Sequence, residues 1–205
     1  MKICIDEYEN SKEYVAISHV WADGLGNARQ NTLPYCQLHR LKRTLDELRA
    51  QQSTWSLLNR GQVDAVLRKK RNVSLRFWID TLCIPVNPSL KHVRKQAIHQ
   101  MKEIHHSSYQ VLVLDAEIQV ANASDVTEAF MQIALSGWMR RLWTLQEGVL
   151  GDRLHFRFND SVFDLQKEYN KLMQIAGRRR TAIIARGIET TGGLRNVTAS
   201  SSSGG

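Results

Sequence analysis

The chain has 205 residues, 42% hydrophobic and 23% charged, which is the balance of one ordinary folded domain and excludes a fibrous or wholly disordered class. No run approaches the roughly 18 to 20 apolar residues of a membrane-spanning helix. The first residues, MKICIDEYEN, turn acidic without the apolar stretch of a secretory signal, so a cytoplasmic protein is expected. Cys4, Cys36 and Cys83 are too few and too scattered for a disulfide framework or a zinc site. The formal charge of +8 favours polyanions in principle. Much of the excess, however, sits in the runs RKKR at 68–71 and RRR at 178–180, and no nucleic-acid-binding motif accompanies them, so a solvated face or tail is expected.

Taken in order, Tyr14–Trp21 reads YVAISHVW, β-branched and aromatic on nearly every position, as a strand covered on both faces. The glycines of Asp23-Gly24-Leu25-Gly26-Asn27 suit a sharp reversal or a close ligand approach. Leu38, Leu41, Leu45 and Leu48 recur at helical spacing, and Val63, Val66 and Leu67 suggest a second short helix. Ser74–Ile84, SLRFWIDTLCI, reads as a second buried strand with Asp80 near its carboxyl end, stopped by Pro85 and Pro88. Lys95–Tyr109 follows as a helix and Val111–Leu114 as a third strand.

Val126, Phe130, Ile133, Ala134 and Trp138 mark another helix, and Leu142, Trp143 and Glu147 a further one. Leu154–Phe158 alternates like an outer strand, and Phe163–Ala176 reads as helical. Residues 1–12 form a lead-in, 13–176 the domain, and 177–205 a basic, then Ser/Gly-rich tail. Apolar strands alternating with helices predict parallel pairing with right-handed crossovers, hence a doubly wound, flavodoxin-like three-layer α/β sandwich. Ligands of such sheets sit past the carboxyl ends of the strands, which here carry Ser18, His19 and Trp21, then Asp80, Thr81 and Cys83, then Asp115.

Three blocks, YVAISHVW at 14–21, RFWIDTLCI at 76–84 and WMRRLWTLQE at 138–147, resemble in order the landmark blocks of the fungal heterokaryon incompatibility (HET) domain. His19 stands where that family commonly has Tyr, and Ala22 and Val86 where Gly and Gln are frequent. The HET domain is in turn similar to Toll/interleukin-1 receptor (TIR) domains, whose Trp-x-x-x-Glu pattern Trp143 and Glu147 match. The resemblance implies self/non-self recognition and cell-death signalling, with NAD+ or a related nucleotide as a possible substrate and no resident cofactor or metal.

The resemblance nominates Glu147 as the catalytic carboxylate, and Ser18, Trp21, Asp80, Cys83, Arg141 and Trp143 as substrate-binding residues. Splitting the nicotinamide–ribose bond needs one carboxylate rather than the usual glycosidase pair, because the pyridinium leaves without protonation. Trp143 and Glu147, four apart, would share a helix face, and the family pattern selects Arg141 over Arg140. Plainer readings stand beside these. Glu147 can be a surface acid paired with an arginine, Trp143 a core residue, and Asp80 a cap on its own turn. Cys83 is read as a buried small hydrophobe rather than a nucleophile. His99 and His105, six apart, do not share a face as a metal pair would. The alternative to an enzyme is a TIR-like module that works by self-association or by binding other incompatibility proteins.

Overall fold

The computed structural model describes residues 4, 6, 13–59, 76–141 and 153–177, with side chains of the first long helix described as far as Gln51. The second short helix expected around 63–67, together with Trp143 and Glu147, lies outside these residues. The chain divides into two compact units, Met1–Leu165 and Gln166–Gly205. In the second, 166–177 is helical, with Lys171 paired to Glu168 one turn away.

The first unit is an α/β fold. Its elements are β1 (Val15–His19), α1 (Tyr35–Asn59), β2 (Phe77–Ile79), the single turn α2 (Asp80–Cys83), α3 (Lys91–His106), β3 (Gln110–Leu114), α4 (Ala116–Val120), α5 (Val126–Leu135), β4 (Leu154–Arg157) and β5 (Val162–Asp164). They build a five-stranded sheet in the order β2-β1-β3-β4-β5. β1 pairs in parallel with β2 and β3, and β3 with β4, while β5 returns antiparallel along β4.

The layers follow from strand alternation. Val15, Ile17, Ile79, Leu112 and Leu114 face α1 and pack on Leu41, Leu45 and Leu48. Ala16, Val111, Val113 and Phe156 face the other way, onto Ile104 of α3, Ile118 of α4, and Ala129 and Ile133 of α5. Every residue of β1 and β3 is buried, as expected for strands covered on both sides. The order of the strands reverses direction after β2, which puts α1 on one face and α3, α4 and α5 on the opposite one. A right-handed, doubly wound sheet requires this, and it gives the predicted three-layer sandwich.

Three expectations need correction. The apolar run ending at Ile84 is not one strand. β2 stops at Ile79 and Asp80 opens a helical turn, because the Asp80 side chain accepts from Thr81 N at 2.6 Å and bends the backbone there. The helix read through Trp138 ends at Leu135, where the Ser136 side chain donates to the Ile133 carbonyl at 2.7 Å. Trp138 nevertheless reaches the core, 1% exposed and edge-on to Phe156 at 5.3 Å. Phe163 belongs to β5 rather than to a helix. It lies opposite Phe156 in the hairpin and meets Phe130 and Phe158, so aromatic cross-strand packing takes the first two residues of the helix expected over 163–176, which begins at 165.

Candidate functional site

Three loops leave the carboxyl ends of β1, β2 and β3, and a small set of polar side chains laces them together. The register places Ile17 beside Ile79. His19, two residues past Ile17, therefore points to the same face, where Asp80 begins its turn. His19 Nε2 lies 2.7 Å from Asp80 Oδ1, and Trp21 Nε1 donates to Asp80 Oδ2 at 2.5 Å. Thr81 Oγ1 donates to the Leu25 carbonyl at 2.8 Å and stands 3.3 Å from His19 Nε2. The proton shared with Asp80 puts hydrogen on His19 Nε2. His19 Nδ1 is buried without a hydrogen-bond partner.

Burial alone would raise the Asp80 carboxyl. The hydrogen bond and charge of His19, the Trp21 indole and the Thr81 N–H together outweigh it and hold the group below its ordinary value of 3.8. Asp80 is thus a carboxylate at neutral pH, with its side chain 16% exposed. Oδ1 takes His19 and the Thr81 N–H, while Oδ2, among the described residues, takes only Trp21. A carboxylate oxygen has two lone pairs, so Oδ2 keeps capacity for one further donor, such as a hydroxyl.

The loop after β1 is shaped around Trp21. Gly24 takes φ +94° to end the 3-10 turn Trp21–Asp23. Gly26 lies against the tryptophan itself, and a Cβ there would meet Trp21 Cβ and Cγ at 2.8 Å. The glycine-rich stretch therefore makes both a sharp reversal and a close approach, the latter to the protein's own indole. Asn31 donates to the Thr81 and Ile84 carbonyls at 3.0 and 2.6 Å and accepts from Val86 N at 3.2 Å, tying the first loop to the second. Asp23 Oδ2 accepts from Ala116 N at 2.8 Å, tying the first to the third.

On the other face Ser18, buried, accepts from Trp138 Nε1 at 2.7 Å. Asp115, also buried, caps α4 through Glu117 N and Ile118 N at 2.9 and 3.1 Å, and takes Trp138 N at 2.8 Å on its second oxygen.

Of the sequence-derived site residues, the structure brings Trp21 and Asp80 together. Ser18 lies on the opposite side of β1, engaged by Trp138. Cys83 is exposed, not the buried small hydrophobe expected, because the turn α2 rotates it out of the strand's apolar register. Partial desolvation and the Asp80 charge push its thiol pKa up, with the Ile79 backbone opposing, so it stays protonated at neutral pH. Arg140 pairs with Glu117 at 3.3 Å, and Arg141 is exposed beside it. His105 is buried edge-on to Trp78 while His99 is exposed, in keeping with their different helix faces. Sequence reasoning placed His19 and Thr81 at the strand ends without nominating them as site residues, and it missed Asn31. The signal for His19 was its place at a strand end, on the same face as the apolar Ile17.

The model of the heterokaryon incompatibility protein (HET) family matches residues 14–126, more than half of the chain and inclusive of the whole His19–Trp21–Asp80 cluster. No curated protein and no solved structure matches the chain.

Proposed function

Because the chain belongs to the heterokaryon incompatibility protein (HET) family and so serves heterokaryon incompatibility, we propose that it does so as a TIR-like enzyme that cleaves NAD+, with Glu147 as the catalytic carboxylate. Its action would be fungal self/non-self recognition ending in cell death. The observation that carries this reading is the Asp80 carboxylate: ionised, fixed by His19 and Trp21, and holding acceptor capacity on Oδ2. It stands at the carboxyl edge of a doubly wound sheet, where nucleotides bind in such folds.

In this reading Asp80 Oδ2 accepts a ribose hydroxyl, and Arg141 and Trp143 contact the phosphates and a ring. The bond from ribose C1′ to the nicotinamide nitrogen breaks with its electron pair leaving on nitrogen. The Glu147 carboxylate stabilises the cation that develops on the ribose. Water then adds to C1′ and gives up a proton. Electrostatic stabilisation of this kind is commonly the largest catalytic term. Cys83, exposed beside Asp80, is a further substrate contact in this reading, whereas Ser18 is engaged by Trp138 on the opposite face.

A second reading, signalling by self-association without catalysis, is favoured by Met131 and Leu135. They lie one turn apart on α5 and are 61% and 69% exposed. One assay separates the two. Purified protein, at high concentration or forced into oligomers, is incubated with NAD+ and free nicotinamide is followed. The enzyme reading expects turnover that Glu147→Gln abolishes and Asp80→Asn lowers mainly through KM. Absence of turnover in every assembly state sinks it, and equal turnover by Glu147→Gln sinks the choice of Glu147.

A further inference from the structure

Helix α3, the crossover from β2 to β3, uses only a narrow stripe to join the core. Ile104 and His105 are buried and Arg94, Ala97 and Met101 half-buried, while most of the remainder is exposed. Lys91, Lys95, His99, Lys102 and His106 follow one another at spacings of four, four, three and four. At 3.6 residues per turn they fall within about 80° of each other and run in a straight line of about 22 Å. All five are exposed, and His92 widens the stripe.

Lys91, Lys95 and Lys102 make no ion pair among the described residues. Glu103, the sole acid of the helix, borders the stripe about 20° beyond His92 and accepts from Ser107 Oγ at 2.7 Å. Three ammonium groups along one face, with no ion-pair partner among the described residues, repel one another. An external polyanion would relieve that repulsion.

We propose that this face of α3 docks the domain on an anionic phospholipid surface. Two features favour a bilayer over nucleic acid. The stripe carries lysine and histidine but no arginine, the commonest bidentate reader of base edges, and none of the larger rings of Phe, Tyr or Trp on which unpaired bases stack best. Its flank is apolar instead. Ile98, about 20° around the helix from Lys91, is 46% exposed, and Leu90, just ahead of Lys91, is 38% exposed. A straight cationic row with an apolar flank matches a flat layer of phosphate headgroups over hydrocarbon, the arrangement of surface-lying basic helices. No helix among the described residues is long and apolar enough to cross a membrane, so the contact is peripheral.

Each lysine near an anionic leaflet strengthens binding about fivefold, so Lys91→Gln/Lys95→Gln/Lys102→Gln weakens it roughly 100-fold. The test is flotation of the full chain with vesicles of phosphatidylcholine alone and with about a third phosphatidylserine, at low and at 0.15 M salt. Thermal unfolding of the variant is measured alongside to show that it stays folded, and a duplex oligonucleotide is titrated in parallel.

The expected result is binding only to phosphatidylserine vesicles, reduced by salt, lost in the triple variant and weakened several-fold by Ile98→Ser. Equal flotation of wild type and triple variant overturns the proposal, since the charge would then reside in other basic segments. So does lysine-dependent binding of the duplex without binding to vesicles, which would make the stripe a nucleic-acid contact.

Discussion

Asp115 offers a prediction with a magnitude that follows from its contacts. Its carboxylate is 1% exposed and accepts three backbone N–H groups, two at the start of α4 and one from Trp138 across the fold. Asp115→Ala removes a helix cap, worth about 0.5–2 kcal/mol. It also strands the buried Trp138 N–H, worth about 1–3 kcal/mol. Together these cost about 2–4 kcal/mol, with water entering the vacated space setting the lower end.

Asp115→Asn separates the two contributions. Its amide oxygen can still cap α4, but its NH2 then faces the Trp138 N–H, donor against donor, so about half the loss is expected. With a urea m-value of about 2 kcal/mol/M, the alanine variant should unfold about 1–2 M earlier and the asparagine variant between it and wild type. Hydrogen exchange at Trp138 N should accelerate in both. A midpoint shift below about 0.3 M for Asp115→Ala, at an m-value of that size, refutes the clamp, as does an asparagine variant indistinguishable from wild type.

Gly26→Ala places a methyl 2.8 Å from Trp21 Cβ and Cγ, atoms near the backbone that cannot swing aside. The expected cost is about 1–3 kcal/mol of overpacking, read as a lower Tm; an unchanged Tm would show that the loop yields freely. Asp80 supplies a pH signature. Its folded pKa lies below the ordinary value of 3.8, so the stability it contributes is complete above about pH 4 and disappears as pH falls through the lower folded value. Denaturation midpoints of wild type and Asp80→Asn should differ by a constant amount from about pH 5 to 7 and converge toward pH 3. A gap that persists undiminished at pH 3 would show that the carboxylate charge is not what His19 and Trp21 hold.

The sheet was legible because its central strands are continuous apolar runs. Val15–His19 and Gln110–Leu114 have nothing but buried positions, so periodicity and burial agree. Legibility failed where a short-range bond overrode the pattern. The apolar run SLRFWIDTLCI hides the end of β2 even though Asp80 was open to reading as a cap on its own turn; it turns the backbone by bonding Thr81 N, and with that turn Cys83 moves from the expected interior to the surface. β5 was hidden for a different reason. Three residues carry no period, and the aromatic contacts that make Phe163 a strand residue come from Phe156 and Phe158 across the hairpin and from Phe130 in α5. At the site, Asp80 and Trp21 were visible as strand-end residues. Their bond to each other, and His19 between them, depend on the β1–β2 register, which no single segment encodes.

Among the described residues the sheet's two borders are β2 and β5, both three residues long. A border strand exposes unpaired amide and carbonyl groups that can recruit a strand from another molecule, and brevity is one way proteins suppress that. With so few bonds on offer at either margin, continuous sheet extension from copy to copy has little to build on. Contacts between copies at these margins would therefore rest on side chains rather than on shared strand hydrogen bonds, and should dissociate without unfolding the domain.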